Sequence, residues 1–463
     1  MFFLPNKPPA IQINSHMINR YPERHMAMLL IIMTAVIYST CAHAEVKPLA
    51  DQQIDTLVES HKIVYVDGHP ANEATQAYVD SIRQRISAFY YDQFRHFSDP
   101  AAPYFLFMSK DAQLAMGIGG CVRMRGYYDW GGAIPASGFA PYLIPMHPSP
   151  TDMRHLGTTP AGSTLFFRVL GRNKSLGDYQ LYIEANFNGY QGRDFHLKKA
   201  YAVINDITIG YASSTFSDPA ALPPTVDAQG PNNKITPTSV LVRYMPAFGE
   251  HWTAALSVET PEPSLAVDNE STGKVSVWMP DFAAFGQYQW TPGQHVRLAG
   301  ILRTLSYRDL INERNHNRLG WGLMLSSVAR PAYAVTTYAS FCYGHGYQSL
   351  GGDLLIGSYD LVGDPDIPGR LYAPASFGWC LGVQYNFCPN IFMSLSASQT
   401  RYLPSKAVSP DEYKYGIFGA VNVFWNLTPR MQVGAEFDLG ERRNFSGDHR
   451  WARRFGAMAQ FSF

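Results

Sequence analysis

The sequence is poor in charge, in cysteine and in long apolar runs, and each shortage excludes something. Charged residues make up 16 % of the chain, with 37 basic and 37 acidic side chains, so the formal charge is zero. A neutral chain lacks the basic surface that nucleic acid requires, and no nucleic-acid partner is expected. Five cysteines in 463 residues are too few and too scattered for a disulfide scaffold. Beyond the N-terminal region no stretch reaches the roughly 18 consecutive apolar residues of a membrane helix. There is no G-x-S-x-G, no H-E-x-x-H and no Cys/His pair at metal-ligand spacing, and His196 and His345 have no nucleophile motif nearby. The expectation is a protein that is not an enzyme and carries no metal or cofactor.

What is present starts with an export signal. Lys7, Arg20 and Arg24 precede the apolar run MAMLLIIMTAVIYST, and Ala42-x-Ala44 follows as a small-residue cleavage pattern. Residues 1–44 read as a signal peptide, with Glu45 opening the mature chain and Met17 or Met26 as alternative starts. A retained anchor helix and a lipidated Cys41 are the rival readings. Residues 45–110 read as a helical periplasmic segment. Within it Val79, Ile82, Ile86 and Phe89 recur at 3-4-3 spacing, which suits an amphipathic helix lying on its own domain or a self-association stalk.

After Lys110 the period becomes two. In Met431–Gly440, Val433, Ala435, Phe437 and Leu439 alternate with Gln432, Gly434, Glu436 and Asp438. Tyr179–Asn188 and Phe377–Phe387 behave alike, with one face apolar and one wet. Sixteen such runs follow one another, the first near Val122 and the last near Met458. Their connections are sorted. NKSLG, ND, PAFGEHW, TPGQ, ARPAY, FCPN and TPR are short, whereas 131–162, 216–238, 261–280, 309–318, 345–375 and 403–413 are mostly long. Short turns at one end and long loops at the other are the plan of an outer-membrane barrel. The expected fold class is an all-β transmembrane barrel of about sixteen antiparallel up-and-down strands over residues 111–463, or about eighteen if 274–278 or 353–362 also pair. The C-terminal run RFGAMAQFSF puts Phe455, Phe461 and Phe463 on one face, which fits a closing strand.

Aromatics gather where outer-membrane lipid would have its boundaries. Tyr244, Trp252, Trp290, Tyr385, Phe387 and Trp425 flank the short turns, while Trp130, Tyr307, Trp321 and Tyr402 sit near the long-loop ends. A soluble periplasmic β-sandwich is the alternative, but it has no reason to sort its loops.

Strand parity turns Arg123, Arg125, Arg168, Lys198, Arg243, Arg297 and Arg303 into the lumen, against fewer inward acids, Glu184, Glu436 and Asp438. Segregated charge in a narrow aqueous tube favours solutes of one sign, and arginine offers a planar fork for a carboxylate. The expected activity is passive diffusion of small hydrophilic solutes, with anions and carboxylates preferred. The competing view is that these cations only neutralise one another and the inward acids. Cys342 and Cys380 share inward parity on neighbouring strands, so a cross-strand disulfide is an open option.

GGCVRMRGYYDWGG (119–132) and FHLKKAYAVINDITIGYASSTFSDPAALPPTVDAQGPNN (195–233) resemble the DcaP-like outer-membrane porins. Lys198, Ala200, Tyr201, Gly210, Ser214, Thr215, Phe216, Asp218, Pro219, Asp227, Gly230, Pro231 and Asn232 carry the likeness, although His196 and Lys198 stand where family members often carry arginines and Ser213 replaces a larger, often aromatic residue. The resemblance implies a homotrimer of sixteen-stranded barrels with a periplasmic trimerisation helix. It also implies an arginine-rich constriction passing small anionic solutes, dicarboxylates among them. In such a barrel the proline-rich 216–238 stretch is an inward-folded constriction loop, not a linker. Asp218, Asp227, Gln229 and Asn232 are its candidate lining residues, with Asp218, Asp227 and Asn232 expected opposite Arg243 and Lys198. The alternative is a receptor or adhesion barrel working through loops 131–162 and 345–375.

Overall fold

The computed structural model describes residues 62–67, 80, 82, 92–99, 103, 105–111 and 113–463 except 174, 176, 190 and 191. The signal-peptide region lies outside the described residues, as do Val79, Ile86 and Phe89 of the expected helical seam.

All sixteen period-two runs are strands. They are β1 (Leu114–Trp130), β2 in two segments (Arg154–Thr159 and Thr164–Asn173), β3 (Gly177–Asn188), β4 (Asp194–Ile204), β5 (Ile207–Ser213) and β6 (Thr238–Tyr244). Then come β7 (Trp252–Glu259), β8 (Asp281–Thr291), β9 (Gln294–Asp309), β10 (Arg314–Ala332) and β11 (Val335–His345). The last five are β12 (Ala375–Cys388), β13 (Ile391–Leu403), β14 (Tyr413–Thr428), β15 (Met431–Asn444) and β16 (His449–Ser462). Each pairs antiparallel with its sequence neighbour, and β16 returns to β1 with Gln460 opposite Arg123. Phe463 and Gly120 exchange both backbone hydrogen bonds at 3.0 Å, which extends that seam. Closure leaves no strand edge for lipid to meet, the condition under which a sheet can cross a bilayer.

Alternation decides which face is which. On β1, Val122 and Met124 are 55 % and 50 % exposed, whereas Arg123 and Arg125 are each 5 % exposed. An apolar outside and a charged inside invert the soluble pattern, and only a hydrocarbon surrounding stabilises that arrangement. Tight turns set the register at the short end. The two-residue Asn205–Asp206 hairpin places Asn205 at φ 50°, a left-handed conformation that asparagine tolerates.

Three expectations change here. Two segments read as helical are instead strands. Lys62–Tyr65 lies parallel to Phe105–Met108, which pairs antiparallel with Ala115–Ile118 of β1. The pairing of β16 with β1 ends at Cys121, so the start of β1 would otherwise be a bare edge, and Phe105–Met108 covers it. Neither extra region adds a barrel strand. Thr272–Lys274 is a short ribbon on the loop end of β9, and Asp353–Ile356 is a 3-10 turn. Tyr307 and Tyr402 do not belong to a lipid girdle, because they are 1 % and 2 % exposed and pack against inward loops.

Candidate functional site

The lumen is built from two unlike walls. On β9 and β16 the inward arginines are matched by carboxylates. Arg303 meets Asp281 and Asp360 at 3.0 Å each. Arg454 meets Asp129 at 2.6 Å and Asp227 at 3.3 Å. Arg297 donates to Gln287 and to the Ser217 carbonyl and lies 3.7 Å from Asp218. Arg297 and Arg303 are inward as expected, but at 0 % and 1 % exposure they anchor loops and present no free fork to a passing solute.

The wall formed by β1, β2, β4 and β6 is different. Arg123 donates to Gln460 and to the Ser98 carbonyl. Arg243 donates to the Ser213 carbonyl and sits 4.1 Å over the Phe94 ring. Nε and Nη2 of Arg125 have no hydrogen-bond acceptor among the described residues. No described carboxylate forms an ion pair with Arg123, Arg125 or Arg243. Arg168 donates to Gln180 and lies over the Tyr182 ring. Asp92, Arg168, Gln180, Lys199, Tyr201 and Arg243 are among the residues that line a cavity of about 150 Å³.

A bulge doubles the cations on β4. The β3–β4 register shifts between Glu184 and Ala185, leaving Lys198 as the extra residue. Consecutive lysines then face the same way. Lys198 reaches Asp99 at 2.5 Å and the fully buried Glu184 at 2.9 Å, and Lys199 reaches Asp99 at 3.3 Å.

The loop between β5 and β6 is folded into the lumen, and its contacts correct the expected pairing. Asp218 accepts from His295 at 2.8 Å and Ser326 at 2.6 Å, so it belongs to β9 and β10. Burial pushes its carboxyl up, but Arg297 and His295 overcome this and hold it below the usual range. Pro224 offers its carbonyl to Ser394 and Asn422. Val226 and Asp227 donate their backbone amides to Glu436 of β15. Asp227 also accepts from the amides of Phe139, Gln229 and Gly230. Asn232 exchanges hydrogen bonds with Ser398 and donates to Asp353 and the Gly416 carbonyl. Hydrogen bonds and ion pairs of Asp218, Asp227 and Asn232 thus go to β9–β10, to β13–β16 and to the inward loops, not to Arg243 or Lys198. The physical reason is desolvation: a buried carboxylate survives only beside dedicated donors, which that wall supplies. Gly378 allows the approach, since a Cβ there would run into Asn233.

Several residues of the candidate site had weaker signals or none. Lys199 was hidden because a period-two reading gives adjacent lysines opposite faces. Lys234 comes from the loop itself, where burial and Lys198 lower its pKa to about 8. Asp99 lies outside the strands altogether. Loops 131–153 and 346–374 also turn inward: Phe139 packs on Phe418, and Leu361 and Leu371 pack on Leu305 and Tyr307. Cys342 and Cys380 are buried free thiols, because the register sets Cys380 opposite Ser340 and Cys342 opposite Gly378.

A closed sixteen-stranded antiparallel barrel with a lipid-facing apolar exterior, a polar lumen and an inward loop defines an outer-membrane porin. The chain belongs to the DcaP outer membrane protein family, whose description matches residues 108–463. Among solved structures, the outer membrane channel DcaP of Acinetobacter baumannii has a TM-score of 0.65 at 18 % identity, covering 77 % of this chain and 99 % of that one. An anion-selective porin from Comamonas acidovorans has a TM-score of 0.52 at 10 % identity, covering 76 % of this chain and 100 % of that one. No curated protein matches the sequence. Family and fold together place the chain in the bacterial outer membrane and point to a transporter rather than a catalyst.

Proposed function

We propose that the protein is a passive porin preferring small anionic solutes, carboxylates first. One observation carries this reading: among the described residues Arg123, Arg125 and Arg243 are buried on the luminal face without an ion-paired carboxylate, while the loop acids are engaged on the opposite wall. Field lines from unneutralised cations are concentrated by the low-dielectric barrel, which raises the local concentration of anions. Lys234 adds to the same field, whereas Lys198 and Lys199 are paired with Asp99 and Glu184. The fold shared with a porin described as anion-selective accords with this, but the residues carry the argument.

Export through residues 1–44 and assembly into a homotrimer through the periplasmic segment complete the proposal. Cross-linking of the detergent-extracted protein tests the trimer, and a monomer band alone would overturn it. Zero-current potentials across planar bilayers in a potassium chloride gradient test selectivity. The expected sign is that of chloride preference, and clear potassium preference would sink the reading.

A further inference from the structure

Residues Asp92–Asp99 lie inside the barrel near its short-turn end, a position no strand pattern foretells. Phe94 is 5 % exposed and packs on Phe285 of β8, with the Arg243 guanidinium 4.1 Å over its ring. Gln93 donates to the Met245 sulfur at 2.8 Å and accepts from Arg297 at 3.2 Å. Three residues after Phe94, Phe97 stacks edge-on against Phe392 of β13 and Phe424 of β14, at 5.8 and 5.0 Å between ring centroids. Ser98 receives Arg123 of β1, and Asp99 receives Lys198 and Lys199 of β4. The octapeptide therefore touches β1, β4, β6, β8, β9, β13 and β14, which lie on opposite sides of the lumen. A short segment with contacts all round a tube lies across it.

Its chemistry matches what it occupies. Asp99 is a carboxylate held by two ammonium groups, and burial, which would raise its pKa, is outweighed by Lys198 and Lys199, which hold it well below the usual range. We infer that residues 92–99 form a built-in plug of the short-turn mouth, in which the Asp99 carboxylate occupies the Lys198–Lys199 pair that would otherwise receive a solute carboxylate. The plug is held by the rings of Phe94 and Phe97, by hydrogen bonds from Arg123 and Arg297 and by the Asp99 carboxylate, and an incoming dicarboxylate competes with Asp99 for the lysines. A solute that binds the lysine pair only when Asp99 has left stabilises the open form. The carboxylate part of this inference rests on the anion preference proposed above, whereas the plug itself does not.

The test uses the full chain in planar bilayers. Gln93→Cys and Met245→Cys, in a background with the native cysteines replaced by serine, lock the segment to the wall when oxidised. Low conductance is expected in the locked channel, with a rise on adding reductant and a larger rise in Phe94→Ala/Phe97→Ala. Succinate added to the reduced channel is expected to lengthen openings, and Asp99→Asn to lengthen them without succinate. Equal conductance in the locked, reduced and double-alanine channels overturns the plug. Openings unaffected by both succinate and Asp99→Asn overturn the competition at the lysines. A channel that prefers cations yet enlarges on reduction supports the plug while overturning the anion reading.

Discussion

Arg303 and Arg243 are both buried arginines facing the same lumen, yet they do different work. Arg303 is flanked by Asp281 and Asp360, and the Asp360 partner comes from an inward loop. Arg243 has a backbone carbonyl and an aromatic ring. The first arrangement neutralises charge and fastens a loop. The second leaves the arginine without an ion-paired carboxylate among the described residues. A barrel can thus place arginine on several strands and pair it with carboxylates at some positions and not at others, by choosing where the acids go.

Substitutions that treat the two walls alike separate these roles. The largest effect is expected for Arg303→Met, which strands two buried carboxylates and costs about 3–5 kcal/mol. The temperature at which the folded band converts to the unfolded one in detergent gels should fall, and an unchanged temperature would break the comparison. Next comes Arg123→Gln with Arg125→Gln. Here the zero-current potential should move toward zero while that temperature stays nearly constant. Arg243→Gln and Arg297→Gln make a matched pair of smaller effect. The former should weaken anion preference, and the latter should loosen Asp218 and raise channel noise with little change in selectivity.

The smallest effect concerns pH. Burial raises the Asp353 carboxyl from 3.8 to about 7, against the opposing hydrogen bonds from Tyr413 and Asn232. The folded form therefore prefers the proton. The stability this gives is complete below pH 3.8 and is lost as pH rises through about 7. Asp353→Asn should flatten the dependence of unfolding temperature on pH across that window. An unaltered slope would assign the dependence to other groups.

Much of this was legible in the sequence because lipid and lumen impose a strict period of two. Val122, Arg123, Met124 and Arg125 announce the face each will take, and the sorted connections announce the ends. The strand count and the inward turn of the proline-rich loop followed from the same signals and the family likeness. Partner choice did not. Asp218 near His295, and Asp227 near Arg454, depend on how a loop lies against strands 77 and 227 residues away in sequence. No local pattern encodes such a distance. The plug was invisible for the same reason, since DQFRHFSD has no strand alternation and its meaning comes from the wall around it.

The bulge at Lys198 has an evolutionary consequence. Deleting one residue from a regular strand re-sorts every side chain beyond the gap, exchanging lipid-facing for water-facing positions. At Lys198 the opposite holds: loss of that residue would restore an unbroken ladder with Leu197 and Lys199 still on their own faces. The mouth's charge can therefore change by an insertion or a deletion as well as by a substitution, and chains differing in length by one residue here would keep the same barrel.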